Sequence, residues 1–90
     1  MSQVVDNTAG RRFELEEAGS LAFADYRREA GTLVIPYVEA APALRGTGAA
    51  GRLMEGVMAV ARAEGRRVIP LCSYASAYIR RHPEHHDLMA

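Results

Sequence analysis

A glycine turn that leads directly into a helix constrains the fold of this chain more than any other stretch. Residues 42–54 read PALRGTGAAGRLM, in which Gly46 and Gly48 are followed by two alanines. Beyond the turn, apolar residues recur at a period of about 3.6, which predicts an amphipathic helix that stops at Gly65. The small residues leave the backbone accessible, and the first amides of a helix carry partial positive charge and lack intrahelical partners. The turn is therefore a candidate anion site, most naturally for phosphate, with Arg45 beside it.

The residues before the turn alternate between polar and apolar at a period of two, which predicts strands. Gly19 and Gly31 lie in the turns between them, and these short connections favour an antiparallel meander. Pro36 cannot donate a ladder hydrogen bond, so it marks an edge, a bulge or a local opening in the third strand. Residues 6–10 have a turn composition. The three predicted strands are 12–16, 21–26 and 32–39.

The residues after the long helix predict one more strand and one more helix. Residues 68–72 form a short apolar run, and residues 74–81 have apolar side chains at helical spacing that end before Pro83. The order is β-β-β-α-β-α, an α+β fold that forms a single domain over residues 1–90. Gly51 and Gly56 inside the long helix each cost about 1 kcal/mol relative to alanine, and close packing on the sheet would account for them.

Composition excludes several classes of function. Eleven basic residues balance eleven acidic ones, which does not favour broad capture of nucleic acid or of an anionic membrane. Every basic residue is arginine, so neither a P-loop lysine nor a Schiff-base lysine is available. The single cysteine, Cys72, cannot form an internal disulfide, and no apolar run reaches the roughly 20 residues of a membrane span. These features predict a soluble, cytoplasmic protein.

Residues 46–51 also satisfy the G-x-G-x-x-G pattern of dinucleotide-binding folds. Such a fold requires a strand that runs straight into the turn and an acidic residue after the next strand. Here residues 40–43 separate the strand from the turn, and the next strand ends at Cys72 and Ser73 without a carboxylate. The dinucleotide interpretation is therefore the weaker one.

Arg45-Gly46-Thr47-Gly48-Ala49-Ala50 fits R-x-x-G-x-A, and in this respect the chain resembles the GNAT superfamily of acetyltransferases. Blocks at residues 61–65, 68–74 and 78–84 are similar to the small single-domain GNAT-like family often called YjdJ-like, over roughly residues 12–88. The chain departs from that family in two places. Tyr37 stands where members usually carry histidine, and Ser73 replaces a proline after Cys72.

The resemblance implies a minimal GNAT-like fold, acetyl-coenzyme A as cofactor and transfer of its acetyl group to an amine that the sequence does not identify. It places the coenzyme phosphates on the turn and the pantetheine arm along a splayed strand around Tyr37–Glu39. The cofactor-binding residues would be Tyr37, Val38, Arg45, Gly46, Thr47, Gly48, Ala49, Ala50, Cys72 and Tyr74. The catalytic candidates are Cys72 as acid or nucleophile, Glu39 as base and Tyr78 as an alternative acid.

Two alternatives stay open, the activity and the partner of the outer phosphate, whereas a metal site is set aside. The protein is either an N-acetyltransferase or a coenzyme A-binding or protein-interaction module with little catalytic activity. The coenzyme's outer phosphate has two candidate partners, the arginine pairs at 66–67 and 80–81. A zinc set of Cys72, His82, His85 and His86 does not have the H-E-x-x-H run of a helical metalloprotease and contains only one cysteine, so we predict no metal and a solvated C-terminal tail.

Overall fold

The computed structural model describes residues 3–90, which form a five-stranded sheet with two α-helices packed on one face. A short 3₁₀ helix precedes α1, and a second one follows α2. The elements are β1 (Val5–Asn7), β2 (Arg12–Glu17), β3 (Ser20–Glu29), β4 (Thr32–Ala40), a 3₁₀ helix (Pro42–Leu44), α1 (Ala49–Ala63), β5 (Arg67–Pro70), α2 (Ser73–Arg80) and a 3₁₀ helix (Pro83–Leu88).

The strands lie in sequence order, β1-β2-β3-β4-β5. β1 to β4 are an antiparallel meander, and β5 is parallel to β4 because α1 carries the chain back across the sheet. The predicted meander is thus confirmed but has a fourth strand, and the turn predicted at Asp6 and Asn7 is wrong. These two residues pair with Phe13 and Arg12, and Asp6 Oδ1 accepts a hydrogen bond from Tyr26 Oη at 2.6 Å.

The two-residue alternation decides which face of the sheet is covered. Phe13 and Leu15 on β2, and Ala22, Ala24 and Tyr26 on β3, are buried against the helices. The apolar stripe of α1 covers this face with side chains that are fully or almost fully buried: Leu53, Met54, Val57, Met58 and Ala61. Among the described residues, no helix is long and apolar enough to cross a membrane.

The bulge and the local opening that Pro36 predicts are both present. The β3–β4 register shifts between Asp25 and Arg27, opposite Ile35 and Pro36. The β4–β5 ladder ends at the pair Ile35–Pro70, where the carbonyl of Ile35 accepts hydrogen bonds from the amides of Leu71 (3.0 Å) and Cys72 (3.2 Å). Beyond that point the chain turns into α2. Within residues 3–90, β4 therefore has no strand partner on this side from Tyr37 onward.

The predicted solvated C-terminal tail is wrong. His85 and Leu88 lie three residues apart in the second 3₁₀ helix, and both are buried. Arg62 on α1 forms an ion pair with Asp87 at 2.9 Å and holds this segment against the long helix. The amide of Ala90 donates to the carbonyl of Val68 at 3.0 Å, so the chain after the 3₁₀ helix lies along β5.

Candidate functional site

The glycine turn has the geometry that its sequence predicts. Gly46 (φ 78°) and Gly48 (φ 87°) adopt left-handed conformations that side chains with a Cβ rarely tolerate. Between them, the hydroxyl of Thr47 donates to the carbonyl of Leu44 at 2.5 Å and accepts from the amide of Ala49 at 3.3 Å. Gly48 is the N-cap of α1 and offers no side chain to the first helical amides.

The first turn of α1 therefore presents unpartnered donors. Among residues 3–90, the amides of Ala50 and Gly51 bond to no other protein group, and neither does the guanidinium of Arg45. Arg52, in contrast, is committed to the Glu17 carboxylate at 2.7 and 2.8 Å. A Cβ on Gly48 would lie 2.9 Å from Arg52 Nη1, a flexible side-chain end that can move, so the constraint that favours glycine here is the left-handed φ of 87°. Bare amides, a helix N-terminus and an unpaired guanidinium suit a phosphate group.

A groove runs from this turn to the opening in the sheet. It consists of two adjoining cavities of about 260 and 330 Å³, which share Ala40, Arg45, Ala50 and Tyr74 in their walls. The first cavity lies over the glycine turn. The second extends along the unpaired part of β4 and is lined there by Tyr37, Val38 and Glu39. Nine of the ten residues predicted to bind the cofactor contribute to the walls or the turn: Tyr37, Val38, Arg45, Gly46, Thr47, Gly48, Ala49, Ala50 and Tyr74.

Tyr37, Glu39 and Cys72 mark the end of the groove at the opening. The Tyr37 hydroxyl donates a hydrogen bond to the Glu39 carboxylate. This bond is the main reason that the pKa of Tyr37 is raised, and the nearby Asp25 and Cys72 contribute in the same direction. Cys72 is half-buried, is the N-cap of α2 and donates its amide to Ile35 where β4 and β5 separate. Glu39 thus lines the end of the groove at the opening, whereas Cys72 lies at the opening beside Ile35 and lines neither cavity.

Tyr78 lies at the other end. It is buried on α2 and lines a third cavity of about 480 Å³ together with Gly48 and Gly51. Its hydroxyl donates to the carboxylate of Glu55 on α1, which also contacts His85 Nε2 at 3.0 Å. The sequence analysis did not single out Glu55, because a glutamate on the polar face of a helix looks like any solvated residue. The sequence did not reveal the buried His85 beside it either, because that burial depends on the fold of the C-terminal segment.

The metal-ligand set considered from the sequence does not assemble. In the part of the chain that the structure describes, the one group with metal-ligand potential is Glu55, Glu84 and His85, whose ligand atoms lie within 4.8 Å of one another. His85 Nδ1 is buried without a hydrogen-bond partner. A metal at Nε2 would require the proton on Nδ1, where it would be an unsatisfied buried donor. The arrangement therefore favours a hydrogen bond from Nε2–H to Glu55 over a metal at Nε2.

Comparison with known families identifies the family of the chain. A model of the GCN5-related N-acetyl-transferase family matches residues 12–88, from the start of β2 to the end of the second 3₁₀ helix. The chain therefore belongs to the GCN5-related N-acetyltransferase family, which at the family level implies acyl-CoA-dependent acetyl transfer. A search of curated proteins found no match to the chain.

Proposed function

We propose that residues 1–90 form one domain that binds acetyl-coenzyme A in the groove and transfers the acetyl group to an amine. The observation that carries the proposal is the continuity of the groove. It joins a phosphate-type cradle at Arg45–Gly51 to the opening in the sheet, where Tyr37 bonds to Glu39 and the Cys72 amide bonds to the Ile35 carbonyl. Acetyl-coenzyme A consists of a diphosphate with a long, narrow thioester arm, so its shape and charge distribution match those of the groove.

Binding is assigned to two parts of the groove. The free amides of Ala50 and Gly51, together with Arg45, hold the pyrophosphate through charge-assisted hydrogen bonds. The unpaired strand segment Tyr37–Glu39 and the ring of Tyr74 line the path of the pantetheine arm. The raised pKa of Tyr74, which results mainly from desolvation, is consistent with a ring that covers part of the groove.

Acetyl-coenzyme A supplies an activated thioester, and three side chains are placed to serve its reaction with an amine. Glu39 is an exposed carboxylate that can take a proton from the incoming amine, directly or through water. Tyr37 holds that carboxylate in place through its hydroxyl. Cys72 can return a proton to the departing sulfur, a role that requires only a neutral thiol.

Tyr78 remains a predicted alternative acid, but its hydroxyl proton is engaged by Glu55. The Glu39 carboxylate is likewise engaged by Tyr37. These two hydrogen bonds are the observation that supports a second candidate, a coenzyme-binding module with little turnover, because each must rearrange before Tyr78 can give a proton or Glu39 can take one through the same oxygen. The two candidates share the same groove and differ only in catalysis, so one set of proteins tests both.

Ala50→Glu tests the groove, and Ala59→Glu is its matched control. Ala50 has helical geometry and lines both cavities, so a glutamate there introduces bulk and negative charge without backbone strain. Ala59 is an exposed residue of the same helix outside the groove. We expect calorimetry to show coenzyme A binding by wild type and Ala59→Glu, and at least a tenfold loss in Ala50→Glu. Unchanged affinity in Ala50→Glu, or no binding by wild type, would overturn the proposal.

Catalysis is tested with the same proteins by following thiol release from acetyl-coenzyme A in the presence of different amines. Amine-dependent release by wild type and Ala59→Glu, but not by Ala50→Glu, supports the transferase. Binding without amine-dependent release supports the coenzyme-binding module.

A further inference from the structure

We propose that Arg81 binds the 3′-phosphate of coenzyme A and thereby makes the protein distinguish coenzyme A from dephospho-coenzyme A. This inference rests on the proposed function. Its starting point is the third cavity, which shares Gly48, Gly51 and Tyr74 with the groove and so continues it beyond the phosphate turn. Arg81 lines this extension, on the far side of the turn from Tyr37 and Glu39.

Few arginine side chains in the described part of the chain lack a partner, and two of these three arginines border the groove or its extension. Of the arginines in the described part of the chain, those whose side chains donate to no protein group are Arg11, Arg45 and Arg81. Arg45 lies at the cradle for the pyrophosphate, whereas Arg81 lies in the extension. Two separate cations along one groove match a ligand with phosphate at two separate places. Coenzyme A has this arrangement, and dephospho-coenzyme A lacks the outer phosphate.

The structure also decides between the arginine pairs that the sequence offered. Arg66 donates to the Glu64 carboxylate at 2.8 Å and to the Glu29 carbonyl at 2.6 Å, and Arg67 donates to the Met89 carbonyl at 3.2 Å. Neither Arg66 nor Arg67 lines the extension or the groove. Arg80 donates to Ser76 Oγ at 3.0 Å and does not line the extension. Arg81 is the member of the two pairs that is both unpaired and in the extension.

The other charged groups of the extension fit a phosphorylated nucleoside. Arg52 is neutralised by Glu17, and the Glu55 carboxylate already accepts hydrogen bonds from Tyr78 and His85. The carboxylate of Glu84 also lines the cavity and is a hydrogen-bond acceptor. A bare phosphate would be repelled by it, but adenosine carries an amino group and a hydroxyl that can donate to such an acceptor. The extension therefore provides one cation and one acceptor, as a phosphorylated nucleoside requires.

The experiment is a ligand–variant cycle measured by calorimetry. Wild type, Arg81→Gln and Arg80→Gln are each titrated with coenzyme A and with dephospho-coenzyme A. Arg80→Gln removes the same charge one residue away, and circular dichroism confirms that all three proteins are folded. We expect wild type to bind coenzyme A about tenfold more tightly than dephospho-coenzyme A, as a partly exposed charge-assisted bond would give. Arg81→Gln should remove this difference, and Arg80→Gln should retain it.

The outcomes separate this inference from the proposed function. Equal affinity of wild type for the two ligands would overturn the role of Arg81 and leave the groove intact. So would an equal loss for both ligands in Arg81→Gln, because Arg81 would then act on a part of the molecule that the two ligands share. Absence of any coenzyme A binding by wild type would instead contradict the proposed function itself.

Discussion

Alanine at the two glycines inside α1 should change stability in opposite directions. Gly51 and Gly56 both have helical backbone geometry, so alanine adopts the conformation of each without strain. Their surroundings differ. A Cβ on Gly51 would meet Tyr78 Cε2 at 3.9 Å, an ordinary van der Waals contact. A Cβ on Gly56 would lie 2.3 Å from Val4 Cγ2 and 2.6 Å from Val4 Cβ.

The magnitudes follow from two terms. Alanine in place of glycine in a helix interior stabilises by about 1 kcal/mol at either position. At Gly51 nothing opposes this gain, so the melting temperature should rise by about 4–8 °C for a domain of this size. At Gly56 the branched body of Val4 must move, and overpacking of this kind costs about 1–3 kcal/mol. The net effect of Gly56→Ala is then a loss of up to about 2 kcal/mol.

Thermal unfolding of the two variants beside wild type measures the difference, and urea unfolding at 25 °C provides an independent free energy. A rise in melting temperature of Gly56→Ala equal to that of Gly51→Ala would refute the reasoning, since propensity alone would then account for both. Because Gly51 lines the groove and Gly56 does not, coenzyme A titrations add a second contrast. Gly51→Ala should weaken binding, although it makes the protein more stable.

Three further predictions concern the thiol, acid stability and ligand choice. Cys72→Ala should keep coenzyme A affinity but reduce turnover, and full turnover would mean that the thiol serves only in packing. Intact mass spectrometry of the wild type after exposure to acetyl-coenzyme A should show a hydroxylamine-labile acetyl group only if Cys72 is a nucleophile. The pKa of Glu64 is lowered to about 2, mainly by its hydrogen bond to Arg28, so this carboxylate stabilises the fold above about pH 4.5 and the contribution is lost as the pH falls toward 2. The side chain is about one-third exposed, which reduces the contribution to about 1 kcal/mol. In Glu64→Gln, the free energies of urea unfolding at pH 7 and pH 3 should differ less than they do in wild type. An equal difference would contradict the assignment. Saturating coenzyme A should raise the melting temperature more than NAD does, whereas stabilisation by NAD alone would restore the dinucleotide interpretation.

The order of elements from β2 to α2 could be predicted because it depends on local patterns. The two-residue alternation around Phe13 and the 3.6-residue stripe of α1 each reflect which side chains face the core, and the structure confirms both. β1 could not be predicted in this way. Asp6 and Asn7 favour a turn by composition, yet Asp6 bonds to Tyr26 and Arg28, and Asn7 bonds to Glu14 at 3.0 Å. Partners that are distant in sequence override the local preference here.

The same distinction applies to the site. The turn at Gly46 and Gly48 has its shape because of its own residues, so its geometry could be predicted from the sequence. The hydrogen bond between Tyr78 and Glu55 joins two helices, and no spacing in the sequence reveals it. The choice of Arg81 over Arg67 likewise depends on which of the two lines the third cavity, and only the tertiary arrangement determines that.

The position of Met89 and Ala90 beside β5 has a consequence for self-association. An uncovered edge strand presents a row of unpaired amides and carbonyls that can recruit another copy of the chain into a continuous sheet. Here the amide of Ala90 occupies the carbonyl of Val68 in that row, and the guanidinium of Arg67 holds the covering segment by donating to the Met89 carbonyl. The opposite edge, β1, has only three residues, too few to nucleate an extended intermolecular ladder. The sheet is thus protected from edge-to-edge aggregation at β5 by a short covering segment and at β1 by the shortness of that strand.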